Sequence, residues 1–407
     1  MNMKNQLLAL AVASIFAVPA LVHAADNVQI YGTLNLNVQN TDRSGATAAG
    51  TAGLATLAAA ATGVNVTSRK AMSTDSSNIG FRGTEELGGG LKATFQIESS
   101  VGLDGQNATS LLASRNSKVG LAGSFGEVFF GNWDTPFKAV TYGTKVNDPF
   151  LSTDVFGYQS IMSSPGFKQR SGSYLSGTNS ASFDARASNS VVYWSPKVDG
   201  LGGKFAYSAN EGKTATLNPS LWSLALNYDN GPLSALYAYE RRNDAFGLTL
   251  MQAASTGTSS KDTAHRVGLG YSIGSTTLSG LWERLDYGNS GKVAGVTSYK
   301  RDAWQLALLH SMGPHAFKLG YAQAQDGSCG NVAGNCTTNG LGALQWTLGY
   351  GYNLSKRTEA YVSYTKLANK AAGTYTLTIG GAADVTTGTY GVGSDPQALG
   401  LGLRHTF

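Results

Sequence analysis

Charged side chains of both signs are the residues in this chain best placed to do chemistry. The stretch from about Trp133 to Ala187, roughly 55 residues, carries Asp134, Asp148, Asp154 and Asp184 beside Lys138, Lys145, Lys168, Arg170 and Arg186. Arg82, Lys92, Lys118 and Lys204 stand at alternating positions in the segments flanking it. Opposed charges facing a narrowed aqueous passage sort ions by sign. That is the role expected of Arg82, Lys92, Lys118 and Lys204 on one side and of Asp134, Lys138, Asp148 and Asp154 on the other. Covalent chemistry is poorly provided for. His265, His310, His315 and His405 are mostly far apart, and no His-Glu-x-x-His run occurs. Gly88-Gly89-Gly90 joins two strand-like runs and opens no helix, unlike a phosphate loop. The reading is no enzyme, no cofactor and no metal. Cys329 and Cys336 lie in DGSCGNVAGNCTTNG. Two thiols without nearby His or further Cys do not fill a tetrahedral metal site, whereas export through an oxidising compartment favours a disulfide.

Export is expected from the first residues. Lys4 gives a positive start, Leu7 to Val22 is apolar, and Val22-His23-Ala24 fits a small-residue cleavage site. Residues 1–24 are therefore read as a cleaved signal peptide and 25–407 as one barrel domain. Beyond the leader no apolar run approaches the roughly 20 residues of a membrane helix. The nearest rival, Ala46 to Ala61, is broken by Gly50, Thr51, Gly53 and Thr56. Glycine numbers 52 and tyrosine 19, while charged residues make up only 14%, against about 25% in ordinary soluble domains. The net charge of +5 is mild and scattered, with none of the basic stripes that nucleic acid requires.

The remaining sequence alternates at the period of strands, so one face is apolar and the other polar. Val28, Ile30, Leu34, Leu36 and Val38 oppose Gln29, Tyr31, Thr33, Asn35 and Asn37. Trp222, Leu224 and Leu226 oppose Ser223 and Asn227, and Leu399, Leu401 and Leu403 oppose glycines and Arg404. Tight turns, for example Glu86 to Gly90, Gly123 to Gly126, Asp229 to Pro232 and Asn353 to Lys356, take turns with long connections. The long ones are expected near 39–75, 100–113, 133–187, 211–219, 243–262, 288–297, 326–341 and 369–396. Seven tight turns and eight long loops join sixteen antiparallel strands. The predicted fold is all-β: a closed 16-stranded antiparallel transmembrane barrel with short periplasmic turns and long extracellular loops. Closure is obligatory where no water can satisfy a sheet edge. Sixteen strands leave an aqueous channel inside, and the 133–187 connection, with its Phe, Tyr, Trp and Pro anchors, is expected to fold into the lumen.

Several segments resemble the general trimeric porins of Gram-negative outer membranes, in particular the β-proteobacterial type. VQIYGTLNLNV is similar to that family's opening strand, and SSNIGFRGTEELGGGLKATFQIES to its second hairpin. SRNSKVGLAGSFGEVFFGN, SNSVVYWSPKVDGLGGKFAYS, YNLSKRTEAYVSYTKL and ALGLGLRHTF add four more matches, spanning Val28 to Phe407. The resemblance implies a homotrimer in the cell outer membrane, an inward third loop forming an eyelet, and passive diffusion of ions and small hydrophilic solutes. The terminal Phe407 resembles the address read by the barrel-assembly machinery. One departure stands out: Gly131-Asn132-Trp133 replaces the family's usual Gly-Arg-Gln, which removes a cation from the constriction and argues against strong anion preference. The alternative readings are a substrate-specific channel for sugars or organic anions, and a surface adhesin.

Overall fold

The computed structural model describes residues 28–105, 112–150, 153, 155–167, 181–209, 213–215, 218–245, 247, 259–293, 296–331, 334–377 and 391–407. The expected leader and Asp154 lie outside the described residues. The chain begins with β1 (Gln29–Ser44), β2 (Val66–Ser73), β3 (Asn78–Gly88), β4 (Leu91–Ser100), β5 (Ser117–Gly123) and β6 (Gly126–Asp134). It continues through β7 (Arg186–Trp194), β8 (Leu201–Ala209), β9 (Ser220–Asn230), β10 (Leu233–Asn243), β11 (Ser260–Ile273) and β12 (Thr276–Val293). It ends with β13 (Val296–Met312), β14 (His315–Ala324), β15 (Ser328–Asn331), β16 (Ala343–Asn353), β17 (Thr358–Asn369) and β18 (Asp395–Thr406).

Every strand pairs antiparallel with its neighbours, and β1 pairs with β18 from Thr33↔Thr406 to Ser44↔Asp395. The eighteen segments make sixteen staves, because two staves are interrupted. β2 pairs with Asn37 to Arg43 of β1, and β3 with Gln29 to Thr33 of the same strand. Likewise β14 and β15 pair with successive stretches of β13. The result is a closed barrel of sixteen staves. With both sheet edges joined, each strand backbone has partners on both sides, the condition that lipid imposes.

The two faces of the sheet obey opposite rules. Leu224, Leu226, Val267, Leu269, Leu306, Leu319, Leu348, Leu401 and Leu403 are exposed on the outside, as suits a wall whose solvent is hydrocarbon. Ser223, Asn227, Ser234, Gln345, Thr347 and Ser363 are buried on the inside. A one-residue slip would exchange these faces, so the alternation fixes the register of every pair.

Two connections differ from expectation. The first is shorter than 39–75, since β1 continues to Ser44 and β2 starts at Val66. The loop expected at 288–297 is mostly strand, with Tyr287 paired to Tyr299 and Val293 to Val296. Packing supplies the reason: the buried Tyr287 and Tyr299 rings sit 6.4 and 5.3 Å from the Phe167 ring, so a distant segment holds the hairpin beyond its tidy alternation. Within 326–341, β15 continues the stave, and Cys329 is joined to Cys336 by a disulfide.

Closure of the barrel runs through one tight spot. The Phe407 amide donates to the Gly32 carbonyl at 3.1 Å, and the Gly32 amide to the Phe407 carbonyl at 3.2 Å. A Cβ on Gly32 would stand 2.6 Å from the Asn78 carbonyl oxygen and 2.7 Å from the Phe407 ring. Gly32→Val is therefore expected to lower the yield of closed barrel, read as loss of the heat-modifiable band on denaturing gels; wild-type yield would disprove this role for the contact.

Candidate functional site: a charged opening beside the β6–β7 segment

Between β6 and β7 the chain leaves the wall and forms two short helices, α1 (Pro136–Ala139) and α2 (Gln159–Ser163). Thr135 caps α1 through its hydroxyl, which accepts from the Lys138 amide at 3.3 Å, and Pro136 occupies the first turn, where its missing N–H costs nothing. α1 lies against β8, β9 and β10, and α2 against β12, β13, β14 and β16. Both therefore rest on the sheet face opposite the apolar exterior.

Buried charges on that face hold the segment by its main chain. Arg266 donates to the Phe137 carbonyl and the Ser163 hydroxyl, each at 3.0 Å, while its guanidinium pairs with Glu283 at 2.6 Å. Arg301 donates to the carbonyls of Ile161 and Met162 at 2.9 Å and of Ser164 at 3.2 Å. Arg242, paired with Glu240 at 2.7 Å, donates to the Ser182 carbonyl at 2.7 Å. Gln345 and Thr347 donate to the carbonyls of Gly157 and Phe156. The wall also provides hollows without side chains. A Cβ on Gly320 would come within 2.7 Å of the Tyr158 ring, and one on Gly400 within 2.7 Å of the Phe156 ring. Rings of the segment thus seat where the wall has only backbone.

The segment and the wall together border an open cavity of roughly 720 Å³. Asp134 is its most connected carboxylate, 3.2 Å from both Lys138 and Arg186 and accepting from the Asn116 amide at 2.9 Å. Lys138 also reaches Asp184 at 3.2 Å. Burial works against the Lys138 charge, but Asp134 and Asp184 outweigh it and raise its affinity for the proton. Across the opening, Arg115 binds Glu98 at 2.7 Å, and Tyr31 donates to the same carboxylate at 2.9 Å. Lys318 pairs with Glu359 at 2.8 Å, with Arg404 at 3.9 Å from that acid. Asp148 accepts from the Phe150 and Tyr158 amides at 2.9 and 3.0 Å. Burial pushes its carboxyl up to about 6, against those two amides and the Lys318 charge.

Of the residues singled out in the sequence, Asp134, Lys138 and Asp148 border this cavity. Arg82 and Lys92 lie toward the tight-turn rim, Arg82 donating to Gln29 at 2.9 Å and Lys92 pairing with Glu86 at 2.6 Å. Lys118 and Lys204 flank Trp194 lower on the wall. Arg115, Lys318 and Glu98 were not among them, and Arg404 was noted only as polar-face. Strand alternation puts such residues on the inner face but gives no height along the barrel. A Gly-x-Ser-x-Gly spacing does occur at Gly270 to Gly274, yet it runs along β11 into a tight turn with no helix after it. The Ser272 hydroxyl meets that of Thr277 at 2.9 Å, so this is no nucleophile elbow.

A closed barrel with an apolar exterior and a charged aqueous interior defines a channel of the outer membrane. The chain matches the Gram-negative porin family over residues 9–372 and belongs to that family. It is 30% identical to the outer membrane porin protein 32 of Delftia acidovorans over the full length of both chains. The anion-selective porin from Comamonas acidovorans superposes with a TM-score of 0.67 at 26% identity, covering 94% of this chain and 99% of that one. OmpT of Vibrio cholerae, solved in a trimer form, shares the fold with a TM-score of 0.60 at 15% identity, covering 94% and 99%. The protein is an outer-membrane porin, a water-filled channel and not an enzyme.

Two measurements probe this site. Removing one partner of a buried ion pair costs on the order of 3–5 kcal/mol. Arg301→Ala is therefore expected to loosen the segment, giving noisy single-channel currents and a lower unfolding temperature; quiet wild-type steps would count against the anchoring. The raised Asp148 value means the folded state binds its proton more tightly than the unfolded chain. The stability it confers accordingly falls as pH rises from about 4 to about 6. In the folded channel its charge appears around pH 6, so reversal potentials should move toward cations between about pH 5 and 7, and Asp148→Asn should flatten that shift.

Proposed function

We propose that residues 135–185 form an inward third loop, the eyelet of a general-diffusion pore with only weak anion preference. The observation supporting this is the make-up of the border shared by wall and segment. It carries five cations, Arg115, Lys138, Arg186, Lys318 and Arg404, against four carboxylates, Glu98, Asp134, Asp148 and Asp184. Most are tied to a partner of opposite sign. Paired charges orient passing ions without excluding either sign. Among the described residues the border holds one aromatic side chain, Tyr142, too few to form a track for sugars. The relative from Comamonas is named anion-selective. A weaker form of that preference is expected here, because Asn132 stands where the family pattern supplies a cation.

The remaining parts of the reading follow from the barrel. Short turns face the periplasm and long loops the outside. Residues 1–24 are removed on export, and Phe407 serves as the address for the assembly machinery. Three barrels associate, as in the trimer form of the Vibrio cholerae protein. The test is a planar bilayer with a potassium chloride gradient. Expected are openings in groups of three and a small reversal potential of the anion-preferring sign. A clear cation preference would overturn the selectivity, and well-folded barrels without conductance would overturn the eyelet.

A further inference from the structure

Two clusters of packed aromatic side chains stand on the inner side among the described residues. The larger, including Phe137, Phe150, Phe156, Tyr158, Phe167, Tyr287 and Tyr299, is buried where the segment meets the wall. The smaller stands apart from it: Phe129, Trp133 and Trp194, packed with Val192 and Ala206. Trp133 joins it because the β6–β7 register shifts between Gly131 and Trp133. The three rings meet edge to face at 5.0, 5.2 and 5.6 Å. Elsewhere the inner wall carries mainly polar and charged side chains, so a cluster of three packed rings, two of them bordering a cavity, is out of keeping with its surroundings.

Cations gather round them. The Lys118 ammonium lies 4.5 Å from the Phe129 ring centre and 5.1 Å from each indole, and it is bonded to Glu127. Lys204 approaches Trp194 at 5.3 Å from its other flank and donates to the Ala139 carbonyl at 3.4 Å. No carboxylate lies within 4 Å of the Lys204 ammonium among the described ion pairs. A second cavity, of roughly 890 Å³, opens beside the two indoles toward the tight-turn rim. Arg82, Lys92 and Lys118 border it against a single carboxylate, Glu127.

We propose that this cavity is a subsite for aromatic carboxylates, holding the ring against Trp133 and Trp194 and the carboxylate among Arg82, Lys92 and Lys118. The two features require different parts of one ligand. An inorganic anion has nothing to place on the indoles, and a neutral ring leaves unanswered Arg82, which meets no carboxylate among the described ion pairs. Aromatic contact and a charge-assisted hydrogen bond reinforce one another when both are satisfied. The site lies apart from the charged opening and leaves the selectivity proposed for that opening unaffected. It gives the general pore a preferred resting place for one class of solute.

The experiment uses the full-length mature barrel in a planar bilayer, with benzoate, acetate or benzyl alcohol added to one side at a time. Benzoate is expected to reduce the current at concentrations where acetate and benzyl alcohol do not, and more effectively from the tight-turn side. Trp194→Ala should weaken the benzoate block about fivefold, the equivalent of one aromatic contact, and Lys118→Gln should do so comparably. Should Trp194→Ala fail to insert, Lys204→Gln provides the second variant, expected to weaken the block through the Trp194 flank. Equal block by acetate or benzyl alcohol, or an undiminished benzoate block in the inserting variants, would overturn the subsite. Absence of any conductance would count against the open pore instead, so the two failures are distinct.

Discussion

The passage through this barrel depends on buried guanidinium groups that find their partners in the main chain of another segment. Arg266, Arg301 and Arg242 project from the wall into a region with little water. Glu283 and Glu240 neutralise part of their charge, and the carbonyl oxygens of Phe137, Ile161, Met162 and Ser182 accept further hydrogen bonds from them. A buried charge stripped of its partners is expensive. The wall and the segment therefore satisfy each other: without the segment the arginines lose acceptors, and without the arginines the short helices lose donors for their ends. Rings seated over Gly320 and Gly400 add shape to that fit. An irregular segment is thereby held against the inner wall at several points along its length.

The same arrangement divides the inner cations into two populations. Some are consumed in holding the segment and are almost wholly buried, as Arg242 and Arg301 are. Others, such as Arg115, Lys318 and Arg404, border the water. Most of the second group is matched by nearby carboxylates.

Much of the barrel was legible in the sequence because lipid outside and water inside impose a period of two on every stave. Leu224, Leu226, Leu401 and Leu403 declare the outer face outright, and the tight turns mark one rim. What alternation does not encode is height along the wall, or whether another segment covers a given spot. Arg82 and Arg301 both fall on the polar face of their strands, yet one is exposed near a turn and the other is sealed beneath α2. Residues 288–297 were read as a loop because the ring packed on the hairpin at Tyr287 and Tyr299, Phe167, lies more than a hundred positions away. Asp134 and Lys138 were easier to place, since their spacing within one connection already put opposite charges side by side.

The staves are of very unequal length, and the bilayer must respond to that. β5 has seven residues and β6, β7 and β8 nine each, whereas β12 has eighteen and β13 seventeen. At about 3.4 Å per residue and a tilt near 40°, β5 rises only about 18 Å, short of the roughly 25 Å apolar band of such barrels, while β12 exceeds it. A solitary barrel would therefore thin the membrane along one flank, an elastic cost that grows with each ångström of mismatch. Barrels joined along their low flanks would replace that strained lipid with protein and relieve the dent.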